Sequence, residues 1–201
     1  MSPQQLSPDE LLTFDEFILH WAQDRPERMA LREEDRLWTY ADLEERTARV
    51  STWLIAQGLT KGDRIAWIGK NSDLYFTLFY GAARIGVVMA PIGWRLAPPE
   101  WAYVVNDTRA KIVFTGAGFD DVAAALDGKL DHAPIFVSAA AGYALIDATA
   151  RAPFDAAGPE DAVLQLYTSG TTGNPKGVAL SNSNLFALRK KALWHKTKFK
   201  L

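Results

Sequence analysis

The run Leu166-Tyr167-Thr168-Ser169-Gly170-Thr171-Thr172-Gly173-Asn174-Pro175-Lys176-Gly177-Val178 packs hydroxyls, glycines and one lysine into a short loop between two apolar segments. Val163–Tyr167 ahead of it reads as a strand, and Val178-Ala179-Leu180 behind it resumes extended structure before a helix near Asn184. Glycines let backbone N–H groups approach an anion closely. Thr168, Ser169, Thr171 and Thr172 add hydroxyl donors, and Lys176 adds a flexible point charge suited to phosphate. Successive amides in such a turn form an anion-binding concavity. A plain polar surface turn needs neither this density of donors nor the Pro-Lys-Gly ending.

Upstream, short apolar strands alternate with amphipathic helices. Ser7-Pro8-Asp9-Glu10 has a helix-start pattern, followed by Leu11, Phe14, Ile18 and Trp21 at helical spacing. Met29-Ala30-Leu31 and Leu37-Trp38 flank Glu33-Glu34-Asp35 as a small hairpin. Thr39-Tyr40-Ala41-Asp42 caps a helix carrying Leu43, Thr47, Val50 and Leu54 and stopped by Gly58. Strands are then expected at Ile65–Ile68, Val87–Ala90, Ile112–Phe114 and Ile135–Val137, with helices over Ser72–Ile85, Pro99–Asn106 and Asp120–Leu126 between them. That alternation predicts an α/β fold: a layered, largely parallel sheet flanked by helices. Ala139 to Gly158 is rich in Ala, Gly and Pro and is expected to be a connection.

The chain has 201 residues, 48% hydrophobic and 23% charged, which suits an ordinary globular protein with a substantial core. A net charge of -2 gives no electrostatic case for nucleic acid or an anionic membrane as partner. With no cysteine, disulfides, thiolate metal sites and a cysteine nucleophile are excluded. The start, Met1-Ser2-Pro3-Gln4-Gln5, lacks the basic and apolar regions of a secretory signal, and a cytoplasmic location is expected. Between Tyr75 and Trp94 the one charge is Arg84, but Gly81, Gly86 and Pro91 divide the stretch into a helix and a strand and not a membrane span.

The glycine-rich run is not the usual P-loop, which needs glycine directly before the lysine and Ser or Thr directly after it. Instead it resembles the phosphate loop of the acyl-adenylate-forming (AMP-binding) superfamily. Pro91-Ile92-Gly93-Trp94-Arg95-Leu96-Ala97-Pro98-Pro99-Glu100 is similar to a segment that fatty-acyl and aryl-CoA synthetases place after a core strand, with Gly93 where many relatives have asparagine. Thr13-Phe14, Trp38-Thr39-Tyr40 and Lys61-Gly62-Asp63-Arg64 resemble the same subgroup. The resemblance covers only the amino-terminal part of the large domain. It implies an acid–thiol ligase, in which a small carboxylic acid attacks the α-phosphate of ATP and coenzyme A then takes the acyl group. It further implies that Thr168, Ser169, Gly170, Thr171, Thr172, Gly173 and Lys176 hold the ATP phosphates, with Mg²⁺ supplied alongside. No residue stands out as a catalytic acid, base or metal ligand.

On this basis residues 1–201 are expected to be a partial AMP-binding domain. It divides into an α/β subdomain at about 9–138, a connecting stretch at 139–160, a strand–phosphate loop–strand–helix unit at 161–188 and an atypical basic tail at 189–201. The acyl pocket, metal carboxylate and lid lysine of the family find no match, so the chain is expected to be an inactive fragment. A non-catalytic nucleotide-binding remnant or assembly module is the alternative. Thr115-Gly116-Ala117-Gly118 hints at a dinucleotide-dependent oxidoreductase, but Asp121 stands where the third glycine belongs, which favours a plain turn. His20, His132 and His195 are far apart without a ligand pattern, and the tryptophans sit among apolar neighbours as core residues do.

Overall fold

A computed structural model describes residues 7–168 and 175–187. Its secondary structure begins with a 3₁₀ turn at Pro8–Glu10 that Ser7 and Glu10 cap reciprocally. The Ser7 signal therefore starts a single turn and not the expected helix. Helix α1 runs Phe14–Asp24 and starts from a second box, in which Thr13 accepts from the Glu16 amide and the Glu16 carboxylate accepts from the Leu12 and Thr13 amides. Leu11 lies between the two boxes in extended backbone and is buried.

Strands β1 (Met29–Glu33) and β2 (Arg36–Thr39) form the expected hairpin, and α2 (Tyr40–Ala56) follows from its Thr39 cap. Next come β3 (Arg64–Ile68), α3 (Asp73–Arg84), β4 (Val88–Ile92), α4 (Pro98–Thr108), β5 (Ile112–Thr115), α5 (Val122–Leu126) and β6 (Ile135–Val137). The stretch 139–160, expected to be a connection, is helical over its first half as α6 (Ala139–Ala148), capped by Ser138. Strands β7 (Ala162–Thr168) and β8 (Lys176–Ser181) follow, then helical backbone over 182–187. The basic tail at 189–201 lies outside the described residues.

Six strands form one sheet in the order β6-β5-β3-β4-β7-β8, with β8 antiparallel and the other five parallel. One face packs Ile65, Trp67, Met89, Ile112 and Phe114 against α2, α3 and α6. The other packs Ala66, Ile68, Ile92 and Val113 against α4 and α5. That division follows from strand alternation: successive residues of a strand covered on both sides serve opposite faces, so its sequence is apolar throughout. No helix among the described residues is long and apolar enough to cross a membrane.

Two buried charge clusters fix the helical layer. Arg84, 2% exposed, donates to Asp15 at 2.7 Å, to Thr47 Oγ1 at 3.0 Å and to Glu44 at 3.2 Å, tying α1, α2 and α3 together. Asp73, at the start of α3, accepts from Arg36 twice at 3.1 Å, from Trp38 Nε1 at 2.7 Å and from the Tyr143 hydroxyl at 2.5 Å. Burial alone would raise its carboxyl pKa, but its close contact with Glu33, which accepts from the Asp73 amide at 2.6 Å, and the hydrogen bonds from Arg36, Tyr143 and Trp38 outweigh it and hold the group well below the usual range. The neighbouring Glu33 is pushed up, chiefly by its hydrogen-bonded contact with Asp73. One buried carboxylate thus docks the β1–β2 hairpin onto α3 and α6.

Candidate phosphate site at the β7–β8 hairpin

The site is built at the carboxyl end of β7, the end of a parallel sheet where α/β folds place their ligands. Thr168 is the last residue of β7 and Lys176 the first of β8, and the antiparallel register sets them directly opposite each other. Directly opposed side chains share one face of the sheet. The hydroxyl and the ammonium therefore flank the same mouth. Both residues are exposed, and Lys176 makes no hydrogen bond or ion pair to any described residue, so its charge is free for a ligand. Ser169, Gly170, Thr171, Thr172 and Gly173 lie outside the described residues.

Below the mouth the hairpin is braced from α4. The Tyr167 hydroxyl donates a short hydrogen bond to Asp107 and accepts one from Gln165 Nε2 at 2.9 Å. Tyr103 donates to the Pro175 carbonyl at 3.1 Å. Burial, reinforced by the Asp107 carboxylate, pushes the Tyr167 phenol pKa up, so it stays a proton donor at neutral pH. Gly177 stands opposite Tyr167, and a Cβ there would collide with Gln165 Nε2 and come 3.0 Å from the phenol Cζ and hydroxyl oxygen of Tyr167. The glycine of the Pro-Lys-Gly ending thus makes room for the tyrosine.

At the same end of the sheet, the loop after β4 carries Trp94, whose ring takes the Arg95 guanidinium at 4.3 Å and the Lys70 ammonium at 5.4 Å. Leu96 packs into the core beneath, in keeping with a packing role for that residue. Gly116, from the incomplete dinucleotide pattern, faces Gly69, where a Cβ would come 3.1 Å from the Gly69 Cα. Its role is a close crossing of two loops. Among the described residues no group of three acidic or histidine side chains could hold a metal ion.

Sequence reasoning singled out Thr168 and Lys176, which the hairpin brings together, but missed Tyr103, Asp107 and Gln165. The partners of Tyr103 and Asp107 lie 60 or more residues away and leave no local pattern, and the Gln165 contact, two residues along β7 from Tyr167, matters only through the Asp107 bond. It also missed Asn182, fully buried, which accepts from the Phe14 amide at 3.1 Å and donates to the Gly158 carbonyl at 3.1 Å. That residue pins the exit of β8 to the start of α1.

A family model described as AMP-binding enzyme matches residues 18–201. A fatty acid–[acyl-carrier-protein] ligase of Streptomyces coeruleorubidus is 37% identical over 84% of this chain and 33% of its own length. A feruloyl-CoA synthase of an Amycolatopsis species is 35% identical over 82% of this chain and 32% of its own. Among solved structures, a Mycobacterium tuberculosis fatty acyl CoA synthetase superposes with a TM-score of 0.76 at 31% identity, over 87% of this chain and 35% of that one. The chain spans about a third of the length of the curated relatives it matches.

Proposed function

Because the chain belongs to the AMP-binding enzyme family, we propose that it carries the phosphate-holding part of a ligase that activates a carboxylic acid with ATP. The acid's carboxylate, ionised at neutral pH, attacks the α-phosphate; the acyl-adenylate forms and pyrophosphate leaves. A thiol, that of coenzyme A in this reading, then attacks the acyl carbonyl and AMP departs. The observation that carries the proposal is the cross-strand pair Thr168–Lys176 at the carboxyl end of β7, with the lysine charge unspent.

Catalysis of the first step is mainly positioning and charge compensation where pyrophosphate develops. Lys176 supplies the charge, Thr168 a hydroxyl donor, and Ser169, Gly170, Thr171, Thr172 and Gly173 are assigned the remaining hydroxyls and amides of the cradle. Magnesium would arrive bound to the nucleotide phosphates, whose charge it would share with Lys176. The named activities of the relatives span fatty acids and an aryl acid. The chain spans about a third of these relatives' length, and in this reading the 201 residues on their own bind nucleotide without turnover.

The test is binding of ATP with Mg²⁺ to the 201-residue chain, with and without Lys176→Ala, alongside acid-dependent release of AMP and thioester with a panel of aliphatic and aromatic acids. Release of AMP and thioester by the 201 residues alone, abolished in Lys176→Ala, would overturn the claim of no turnover. Nucleotide binding that ignores Lys176→Ala would overturn the site.

A further inference from the structure

We infer that Tyr103 and Asp107 are positioning residues for the phosphate loop, clamping both of its stems to one face of α4. The inference rests on the reading of the loop as a pyrophosphate holder. Residues four apart on a helix lie on one side of it, and these two reach different strands. Asp107 accepts from Tyr167, the residue immediately before Thr168. Tyr103 donates to the carbonyl of Pro175, the residue immediately before Lys176. Each phosphate-facing residue therefore directly follows one that α4 holds.

The sheet does not do this job by itself. Although β7 and β8 are zipped together over six registered pairs, β7 joins β4 through a single one, Met89 with Leu164. The hairpin is internally firm, and at its base β7 lies against β4 with Val163 in the core and Leu164 packed against it. Near its tip, the tie to the rest of the fold runs through the two tyrosines. Tyr167 is fixed on both sides of its hydroxyl, by Asp107 and by Gln165, and Gly177 leaves its ring the space to cross β8. A helix that holds both stems fixes where the mouth sits relative to the loops after β3 and β4, and a cradle held in place before binding loses less affinity to ordering.

The experiment uses Tyr103→Phe, Tyr167→Phe and their double variant, each removing a single hydroxyl, with Lys176→Ala for comparison. Inorganic pyrophosphate with Mg²⁺ is titrated calorimetrically into the 201-residue chain, and amide hydrogen exchange is followed without ligand. The double variant should bind pyrophosphate roughly tenfold more weakly. It should also exchange faster over 165–168 and 176–178, while β3 is unchanged. Lys176→Ala should weaken binding and leave exchange alone. Wild-type binding with a double variant equal to wild type in both readouts overturns the clamp and spares the phosphate site. A wild-type chain that does not bind pyrophosphate takes down both.

Discussion

Gly81 lies where α3 crosses α2, and replacing it with alanine tests how tightly that crossing is locked. A Cβ on Gly81 would stand 2.5 Å from both Cβ and Cγ1 of Val50 and 2.9 Å from the Thr47 carbonyl oxygen. Carbon atoms need about 3.5 Å, so the helices must part by about 1 Å. They are poorly placed to do so, because Ser51 Oγ donates to the Gly81 carbonyl at 2.7 Å and Arg84, three residues on, is held by Asp15, Glu44 and Thr47. Overpacking costs about 1–3 kcal/mol, and a strained buried hydrogen bond adds about 1 kcal/mol. The expected loss is about 2–4 kcal/mol, which with a slope of about 2 kcal/mol/M lowers the urea midpoint by roughly 1–2 M. Far-ultraviolet dichroism and tryptophan fluorescence should report the same midpoint. Gly93→Ala is the control, since its Cβ meets only Leu96, at 3.4 Å. In a Val50→Gly background the cost of Gly81→Ala should shrink. A Gly81→Ala midpoint within error of wild type would refute the packing argument.

Lys176→Ala should leave the melting curve in place and weaken the binding of pyrophosphate with Mg²⁺ by about 1.5–3 kcal/mol, read by calorimetry. Gly177→Ala should displace the Gln165 amide that donates to Tyr167 and crowd the Tyr167 ring, lowering stability by about 1–3 kcal/mol; an unshifted denaturation midpoint counts against these contacts. Asp73→Asn removes the charge that Arg36, Trp38 and Tyr143 share, and at pH 7 should cost roughly 3 kcal/mol in urea titrations. The Asp73 carboxyl is held below its ordinary value of 3.8 in the folded state, so its contribution is present above that value and is lost as pH falls. The gap between wild type and Asp73→Asn should therefore be full at pH 7 and close below about pH 4; a gap that stays constant from pH 7 to pH 3 would contradict the linkage.

Most of the fold was legible because each buried strand is a short apolar run and each helix shows its stripe or its cap. Ser72, Thr39 and Gly58 marked boundaries that the structure keeps within a residue or two. The start of α1 was misplaced because Ser7 and Thr13 both begin a Ser/Thr-x-x-Glu box, and capping chemistry alone does not tell a single turn from a helix. Helix α6 was missed for the opposite reason. Its alanines, with Gly142 so close to Leu74 that an added Cβ would come 3.1 Å from the leucine methyl, make it apolar nearly all round, so no stripe appears. At the site, Thr168 and Lys176 were readable because their chemistry and spacing are local. The hold of Asp107 on Tyr167 spans 60 residues and depends on the order in which the strands lie.

That order has a kinetic consequence. The chain enters the sheet near its middle with β3, builds outward to β6 at one edge, and then travels past β5, β3 and β4 to lay down β7 on the other side. Every neighbour of β7 within the sheet except β8 was made long before it in the sequence. Pairing of this non-local kind carries the loop-closure cost that slows folding. The strand that presents Thr168 therefore has nowhere to dock until β4 is in place, and Tyr167 has no Asp107 to find until α4 has formed. Refolding followed by tryptophan fluorescence should recover most of its amplitude in earlier phases, while competence to bind pyrophosphate returns only with the slowest. The mouth formed by Thr168 and Lys176 should then be the last part of this fold to form, and its appearance a clock for the completion of the sheet.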